Sequence, residues 1–409
     1  MDAVGIEALN VYAGVAVIDV HDLFVGRGLE VARIDNIQQS QRSIGLGFED
    51  PVTNAVNAAH PIIERLTPEE LVKIEMVIVS TESGVDYSKS ISSYVHKYLN
   101  LPNTCRFLEV KQACYAATGA LQMALGYIAS GMSPGAKALV IATDVSLVDA
   151  RAEYAEPSTG FGAAAILISD NPQILRVDYG AFGVHAYETM DSARPLPSAD
   201  IADVDKSLFA YLDCLTNSFN NYKQRVDGVD IVKSFGQLCM HTPFAGLVQA
   251  AHRKIMRQEN IIDANFVAED FNKRVEPSLV YPKKVGNLCS GSIYLALASV
   301  LDNSPLDEPT RVGLFSYGSG CSSEFYSGVM TKHSKEVASS YQLKQSLARR
   351  TKLSFQQYEE LLPDNLQSIV PQVSRQINIS TYEKFLPAGR PKLLALSNIQ
   401  DYYRSYEWI

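Results

Sequence analysis

One strand–helix–strand unit occurs twice in this chain of 409 residues, and that repeat constrains the fold more than any other feature. The run CYAATGAL opens a small-residue helix at Cys114, and the run CSGSIYLAL opens a similar helix at Cys289. An apolar strand follows each helix at the same spacing, because Asp144 lies 30 residues after Cys114 and Ser319 lies 30 residues after Cys289. A repeat on this scale predicts that the chain is built from two similar halves.

Apolar strands alternate with helical stretches in both halves, which is typical of a layered α/β protein. We place the N-terminal half at residues 1–170 and the C-terminal half at residues 171–409, with no Gly/Ser-rich or Pro-rich linker between them. The stretch 180–229 is rich in Asp, Ser and Tyr, and it predicts an insertion that forms a wall or lid over a site. Strands are predicted at 76–80, 107–110, 138–143, 163–169, 231–235 and 311–317.

The composition argues against several classes of protein. A formal net charge of −9 disfavours nucleic acid as a main partner. No apolar stretch approaches the roughly 20 residues that span a bilayer, and the N-terminus lacks the charged and apolar regions of a secretion signal. The six cysteines show no paired metal-binding spacing, so we expect reduced thiols, no metal site and a cytoplasmic protein.

Cys114 is the strongest candidate nucleophile. The run FLEVKQACYAATG predicts a short strand, a turn and a small-residue helix that begins at the cysteine. The free N–H groups and the positive dipole end of a helix N-terminus favour a thiolate over a thiol. Such a thiolate is a good nucleophile for a thioester. A buried structural cysteine is the ordinary alternative, and the strand–turn–helix context argues against it.

Two titratable residues follow predicted strands. Glu82 lies in the turn STESG, where a partly buried carboxylate with a raised pKa would suit proton transfer. A solvated or helix-capping glutamate stays open as an alternative. His241 lies in the run CMHTPF before a helix that Pro243 can start, and its ring is placed to act as donor or acid. A lone histidine is more often a packing residue.

Polar and basic residues complete the candidate set. Asn287, in the run VGNLC, could orient a carbonyl or the ring of His241, although asparagine is also a common helix cap. Ser319 lies in the glycine-rich loop YGSGC, which either aims backbone N–H groups at an oxyanion or is a plain tight turn. Arg253 and Arg257 share a predicted helix whose basic side is either a solvated face or a contact for acidic groups.

Together, these motifs resemble the 3-hydroxy-3-methylglutaryl-CoA synthase family, a branch of the thiolase-like condensing enzymes. The resemblance covers nearly the whole chain and rests on many motifs in the same order. It implies a five-layer αβαβα fold of two similar halves, and a homodimer. The motifs are VGIEALNVYAG, GRGLE, SIGLGFEDPVTNAVNAAHPII, STESGVDYSKS, EVKQACYAATGAL, AEPSTGFGAAAILI, HTPF, VGNLCSGSIYLAL, SYGSG and the tail YYRSY.

The resemblance also implies what each candidate does. Cys114 receives an acetyl group, and Glu82 removes a proton from the acetyl methyl and later serves as acid. His241 polarises the acceptor ketone and Asn287 supports its carbonyl, while the backbone N–H groups of Ser319 and Cys114 stabilise an oxyanion. A base and an oxyanion hole must act together because a thioester-bound methyl is only weakly acidic. No cofactor is implied, since a phosphopantetheine arm arrives on the carrier-protein substrate.

Departures from the family pattern point to one of its branches. CoA-dependent members usually have a lysine where this chain has Gly246, and an aromatic residue where it has Ala193. A tyrosine common in the family before the EPST motif has no clear equivalent here other than Tyr154. The run HTPFAGLVQAAHR resembles the β-branching synthases of polyketide pathways, which use acyl-carrier-protein thioesters in place of CoA thioesters.

We therefore expect an acyltransferase that takes acetyl from a donor acyl carrier protein and adds it, aldol-type, to the β-ketone of a polyketide on an acceptor carrier protein. Arg33, Arg253 and Arg257 are candidate carrier contacts. Three alternatives stay open. They are a CoA-dependent synthase of isoprenoid supply, a decarboxylating ketosynthase, and a non-catalytic thiolase-fold protein that docks carriers. Glu82 disfavours the ketosynthase, because loss of carbon dioxide makes a carbanion without a base.

Overall fold

A computed structural model of the chain describes residues 3–146 and 153–409, except for the side chains of residues 153 and 154. Its α-helices are α1 Val20–Arg27, α2 Ile34–Ile37, α3 Pro51–Ile63, α4 Pro68–Leu71, α5 Ile91–Tyr98, α6 Ala116–Ala129, α7 Val204–Arg225, α8 Ala245–Gln258, α9 Ala264–Arg274, α10 Glu276–Leu279, α11 Pro282–Val285, α12 Ser292–Asn303, α13 Lys332–Ser340, α14 Leu343–Arg349 and α15 Phe355–Ile369. Its strands are β1 Gly5–Tyr12, β2 Ala16–Asp19, β3 Gln41–Ile44, β4 Ile74–Ser80, β5 Arg106–Val110, β6 Lys137–Val145, β7 Phe161–Ser169, β8 Leu175–Ala186, β9 Ser192–Leu196, β10 Ala199–Ala202, β11 Gln237–Met240, β12 Thr310–Gly318, β13 Ser322–Met330, β14 Thr351–Leu353, β15 Ser374–Gln376, β16 Leu394–Gln400 and β17 Tyr403–Trp408. Short 3₁₀ segments span Val31–Arg33, Glu153–Ser158, Cys289–Gly291 and Ile379–Phe385.

The strand order repeats in the two halves, as the sequence predicts. Nine of the described strands form one sheet in the order β11-β12-β13-β8-β1-β7-β6-β4-β5. The strands β1 and β8 pair antiparallel where the halves meet. In the N-terminal half, β1 pairs antiparallel with β7, β7 pairs antiparallel with β6, and β6 pairs parallel with β4. In the C-terminal half, β8, β13, β12 and β11 pair in the same sequence of directions.

The core divides into layers because alternate residues of a strand face opposite sides of a sheet. One face of both halves packs against the central helices α6 and α12, as Val140 and Leu314 do. The opposite face of the N-terminal half, including Ile141, packs against α3 and α5. The opposite face of the C-terminal half, including Phe315, packs against α7 and α8. The result is the thiolase-like five-layer αβαβα arrangement.

Some expected elements differ from the structure. Residues 231–235 form turns, and the strand of this region is β11, which begins at Gln237. The carboxylate of Asp230 accepts hydrogen bonds from the backbone N–H groups of Val232 and Lys233, which bends the chain. Buried apolar side chains in this stretch give a strand-like pattern, but the local hydrogen bonds fix a turn.

The stretch 180–229 is not a single insertion. Its first residues belong to β8 in the main sheet, and its last part is α7, which packs on β8 and β13. Only the small hairpin β9–β10 between them stands apart from the main sheet. The division of the chain near residue 170 stays a prediction, with β7 ending at Ser169 and β8 beginning at Leu175.

The C-terminal tail is tied to the N-terminal half through one buried carboxylate. Asp50 caps α3 by accepting from the backbone N–H of Thr53. Its second oxygen accepts from the Arg404 guanidinium and the Tyr406 hydroxyl, each at 2.8 Å. The FEDP and YYRSY motifs are therefore two parts of one structural contact.

The longest described helix, α7, has 22 residues, and it is amphipathic. One side is buried around Tyr211, Leu215 and Phe219, while Asp205 and Lys206 lie among its exposed residues. In the described part of the chain, no helix combines the length and apolar character that crossing a bilayer requires.

Candidate active site

The five predicted catalytic residues line one cavity of about 1300 Å³. Glu82, His241 and Ser319 each follow the carboxyl end of a strand, namely β4, β11 and β12. Cys114 and Asn287 lie in the turns that lead to α6 and α12. Carboxyl ends of parallel strands meet at one edge of a sheet, and helix N-termini offer free N–H groups there. The repeat thus brings the candidate residues of both halves together.

Two backbone segments approach closely to place the predicted oxyanion donors. At Gly318, an added Cβ atom would lie 2.4 Å from the Tyr115 nitrogen and 2.7 Å from the Gln112 oxygen. Only glycine allows the end of β12 to pass this close to the cysteine turn. The Gln112 amide also donates to the Ser319 carbonyl at 3.3 Å. This packing holds the backbone of Ser319 beside that of Cys114.

The structure corrects the expected charge state of Cys114. The helix α6 begins at Ala116, two residues after the cysteine. A hydrogen bond with Cys289 lowers the pKa of the Cys114 thiol, but burial and the charges of Glu82 and Asp144 outweigh it, so that the pKa lies above its ordinary value. The raised pKa favours the thiol form of Cys114 at neutral pH, so the proton must leave as the sulfur attacks a thioester.

Glu82 is held by charged and polar neighbours. Its side chain is 21% exposed, and its Oε1 lies 3.4 Å from the Nη2 of Arg194. Its backbone N–H donates to the Oδ1 of Asp144 at 2.8 Å. Burial and the nearby charge of Glu82 raise the pKa of Asp144 to about 8. Glu82 therefore lies beside the cation of Arg194 and beside Asp144, whose raised pKa favours the neutral form of Asp144.

His241 is a buried, neutral imidazole. Its side chain is buried, and burial lowers the pKa of His241 to about 3. Its backbone is fixed on both sides, since its N–H donates to the Phe315 carbonyl at 2.7 Å and its carbonyl accepts from the Tyr211 hydroxyl at 2.7 Å. Its Nδ1 has no hydrogen-bond partner in the described structure. The ring can therefore hydrogen-bond a substrate carbonyl without carrying a charge.

The amide oxygen of Asn287 stabilises the turn that leads to α12. It accepts from the backbone N–H of Cys289 at 2.9 Å and from the hydroxyl of Ser292 at 2.6 Å. Because the oxygen is occupied, the amide NH₂ is the group that can donate to a ligand in the cavity.

The three candidate carrier contacts lie outside the cavity, on the surface beside it. Arg253 and Arg257 are exposed on α8. Arg33 is 52% exposed and pairs with Glu30 at 3.2 Å. The helix α2, which directly follows Arg33, packs against α8. The arginines therefore occupy two neighbouring elements, but they do not touch the predicted catalytic residues.

Four further residues of the site are not among the sequence predictions: Asp144, Asp191, Arg194 and Cys289. Asp191 accepts from the Gly320 N–H at 2.9 Å and the Tyr317 hydroxyl at 2.8 Å, which anchors the loop that carries Ser319. Asp144 ends a fully buried strand, and Cys289 is the repeat counterpart of Cys114, so both had a signal in the sequence. Tyr154, a possible substitute tyrosine, has a side chain outside the described residues.

A cysteine, a glutamate and a histidine that line one cavity of this five-layer fold are typical of the condensing enzymes of the thiolase-like class. Two family models match most of the chain: "Hydroxymethylglutaryl-coenzyme A synthase N terminal" over residues 1–173 and "Hydroxymethylglutaryl-coenzyme A synthase C terminal" over residues 257–406. The chain belongs to the hydroxymethylglutaryl-CoA synthase family.

Three individual members of this family are similar to the chain over nearly its whole length. The chain is 43% identical to the polyketide biosynthesis 3-hydroxy-3-methylglutaryl-ACP synthase PksG of Bacillus subtilis (strain 168), with all of both chains covered. It is similar to the curacin biosynthetic pathway HMG synthase in complex with acetyl donor-ACP, with a TM-score of 0.96, 44% identity and all of both chains covered. The hydroxymethylglutaryl-CoA synthase of Enterococcus faecalis is 31% identical over 90% of this chain and 94% of its own length.

Proposed function

We propose that this enzyme installs a hydroxymethylglutaryl-type β-branch on a polyketide held by an acyl carrier protein, using acetyl from a donor acyl carrier protein. The observation that carries the proposal is full-length identity of 43–44% to two synthases of polyketide pathways, one of them solved with acetyl donor-ACP. Carrier-dependent and CoA-dependent chemistry need the same catalytic residues, so the choice of donor rests on this comparison and on the packing and charge of α8.

The first step moves the acetyl group to Cys114. The sulfur of Cys114 attacks the acetyl thioester, the carrier thiol leaves with a proton, and a new thioester forms. In this proposal, the backbone N–H groups of Cys114 and Ser319 stabilise the tetrahedral oxyanion. Since the Cys114 thiol is protonated at rest, removal of its proton accompanies the attack.

The second step forms the carbon–carbon bond. Glu82 takes a proton from the acetyl methyl, and the resulting carbanion adds to the β-ketone of the acceptor. His241 and Asn287 hydrogen-bond that ketone, and the alkoxide that forms takes a proton from Glu82. The product is then a thioester on Cys114, and hydrolysis returns the free thiol. No cofactor enters this sequence, because the phosphopantetheine arm belongs to the carrier substrate.

The packing of α8 supports a carrier as donor. At Gly246, where CoA-dependent relatives usually have a lysine, an added Cβ would lie 1.9 Å from the backbone oxygen of Asn36. The helix α2, which contains Asn36, therefore occupies the space that a side chain at Gly246 would need. The exposed Arg253 and Arg257 lie on the same helix, where they can meet the acidic surface of a carrier.

Intact-protein mass spectrometry of acetyl loading tests the proposal. Acetyl-carrier-protein and acetyl-CoA are offered in parallel, with Cys114→Ser as the control. Faster loading from the carrier is expected, and no loading of the serine variant. Equal or preferential loading from CoA would favour the isoprenoid-type synthase. No loading from either donor would favour the non-catalytic docking protein.

Charge reversal tests the arginine contacts. Arg253→Glu and Arg257→Glu should slow loading from the carrier and leave loading from acetyl-CoA unchanged, because only the carrier presents an acidic surface. Lys392→Glu, at an exposed position far along the chain, is the matched control. Equal carrier rates in all three variants would remove these arginines from the docking surface. Arg33→Glu completes the series.

We further propose a homodimer and a cytoplasmic location. All six cysteines are free thiols in the structure, which fits a reducing compartment. The sheet ends at β5, whose Phe107 and Leu108 are 47% and 38% exposed. An apolar edge strand of this kind is usually covered, and a second copy of the chain can cover it.

A further inference from the structure

Cys289 has no function in the reaction above, yet it faces the two residues that do the most chemistry. It lies at the start of the α12 segment, as Cys114 lies at the start of α6, and its side chain is 4% exposed. Its φ angle of 49° is in the left-handed region, and its N–H is held by the Oδ1 of Asn287. The Cys114 sulfur, the Cys289 sulfur and a Glu82 carboxylate oxygen all lie within 4.8 Å of one another.

We propose that Cys114, Cys289 and Glu82 form a binding site for one soft divalent cation, such as Zn²⁺, and that the bound ion blocks acyl transfer. Binding replaces the two thiol protons, which are released, by two metal–sulfur bonds and one metal–oxygen bond. The site and the acetyl thioester require the same sulfur of Cys114. Metal binding and acetylation therefore exclude each other.

The distance between the Cys289 sulfur and the Glu82 oxygen fits one edge of a tetrahedral ion, and all three donor atoms lie within 4.8 Å of one another. With zinc–sulfur bonds of about 2.3 Å and zinc–oxygen bonds of about 2.1 Å, the edges of the tetrahedron are about 3.8 Å between sulfurs and about 3.6 Å between sulfur and oxygen. The Cys289 sulfur lies 3.5 Å from the Oε1 of Glu82. All three donor residues line the cavity, so water or a ligand in the cavity can complete the coordination.

The charge around the site suits a bound dication. Two thiolates and one carboxylate carry three negative charges, so an ion of charge +2 leaves one. The guanidinium of Arg194, 3.4 Å from Glu82, lies beside that excess, while Asp200 binds the other side of the guanidinium at 2.6 Å. Thiolate ligands select zinc or cadmium over magnesium and calcium, which prefer oxygen.

A second thiol pair provides an internal comparison. Cys214 and Cys321 are buried with their sulfurs 3.5 Å apart. Among the described residues, only the Glu82 cluster places three or more His, Cys, Asp or Glu ligand atoms this close together. A cation that needs only two thiols should bind at both cysteine pairs. A cation that needs three ligands should bind only at Cys114, Cys289 and Glu82.

Cadmium titration of the full-length chain tests the site, because cadmium–thiolate bonds absorb in the near ultraviolet. One equivalent should saturate the band. Cys114→Ser and Cys289→Ser should each lower its intensity to about half and weaken binding by on the order of tenfold or more. Glu82→Gln should weaken binding and keep the intensity, and Cys214→Ser should change neither. Circular dichroism of each variant checks that it is folded.

A second measurement connects the site to catalysis. Zinc should stop acetyl loading of Cys114, a chelator should restore it, and previously acetylated enzyme should lose the one-equivalent cadmium band. Unchanged titrations in both Cys114→Ser and Cys289→Ser would overturn the proposal, as would the absence of any band. Because cadmium binding is read without substrate, this result is independent of whether the carrier proposal holds.

Discussion

At the scale of a single residue, burial of His241 makes the stability of the protein depend on pH. The pKa of His241 is about 3 in the folded protein, against an ordinary value of 6.5. Between these values the unfolded chain binds the proton that the folded protein does not. Stability from this residue is therefore complete above pH 6.5 and is lost as the pH falls toward 3, by up to about 1.4 kcal/mol per pH unit.

His241→Asn should remove this pH dependence. Between pH 7 and pH 5 the unmodified protein should lose about 2 kcal/mol more unfolding free energy than the variant, because only the unmodified chain has a buried histidine to protonate. Urea unfolding at the two pH values measures the difference. His333→Asn, at a residue whose side chain is 59% exposed, should behave like the unmodified protein. Equal losses in His241→Asn and the unmodified protein would contradict the assignment.

The sequence predicts site residues that stand in a distinctive short motif. It does not predict residues that join the site through partners far away in the chain. Cys114 and His241 stand in distinctive turns between strands and helices, so their positions follow from short motifs. Arg194 reaches Glu82 across more than one hundred residues of chain, from a hairpin whose position no motif fixes. The raised pKa of Cys114 also depends on Asp144 and Glu82, which surround it only in the folded protein.

At the scale of secondary-structure elements, most strands follow from apolar runs, and errors arise where side-chain hydrogen bonds decide. The predicted strands 76–80, 107–110, 138–143, 163–169 and 311–317 all lie inside observed strands. The stretch 231–235 also contains apolar residues, but the carboxylate of Asp230 accepts from the Val232 N–H and fixes a turn at its start. The guanidinium of Arg274 donates to the carbonyls of Ile231 and Phe235. Arg274 is about forty residues away, so no local pattern reveals this contact.

Gly318→Ala should damage catalysis through the contact between β12 and the cysteine turn. The new Cβ would lie 2.4 Å from the Tyr115 nitrogen, so the Ser319 backbone must move away from Cys114. Loss of one oxyanion donor lowers the rate by about 10² to 10³. Single-turnover acetyl loading measures this rate. Gly126→Ala, where an added Cβ meets nothing, should load normally, and normal loading of Gly318→Ala would refute the predicted oxyanion position.

Gly246→Lys should not create a CoA-dependent enzyme. Its Cβ would lie 1.9 Å from the Asn36 oxygen in α2, and overpacking between α8 and α2 costs about 1–3 kcal/mol. Thermal unfolding should show the loss, while Ala250→Lys, at an exposed position of α8, should not. If Gly246→Lys loads faster from acetyl-CoA without losing stability, the packing does not set the choice of donor.

At the scale of the whole molecule, the repeat explains why one chain can build this site. Each half contributes a helix N-terminus at the same end of its strands, and the two meet because α6 and α12 share the central layer. The apolar pattern and the repeat predicted a layered α/β protein of two similar halves, and the five-layer arrangement followed from the family resemblance. Cys114 and Cys289 face each other because of that symmetry. They are 175 residues apart in the sequence, so no local pattern reveals their contact.

Phe107→Asp tests whether the open edge of the sheet is the dimer contact. The strand β5 leads directly into the cysteine turn, and its Phe107 and Leu108 are exposed. A charge at this edge would be buried against the second copy, so the variant should elute as a monomer when light scattering gives its mass. Because β5 positions the turn that carries Cys114, the monomer should also load acetyl more slowly. Val72→Asp, at a residue that is 62% exposed directly after α4, should remain dimeric and load normally. A dimer that survives Phe107→Asp would place the contact elsewhere, and a monomeric unmodified chain would refute the dimer itself.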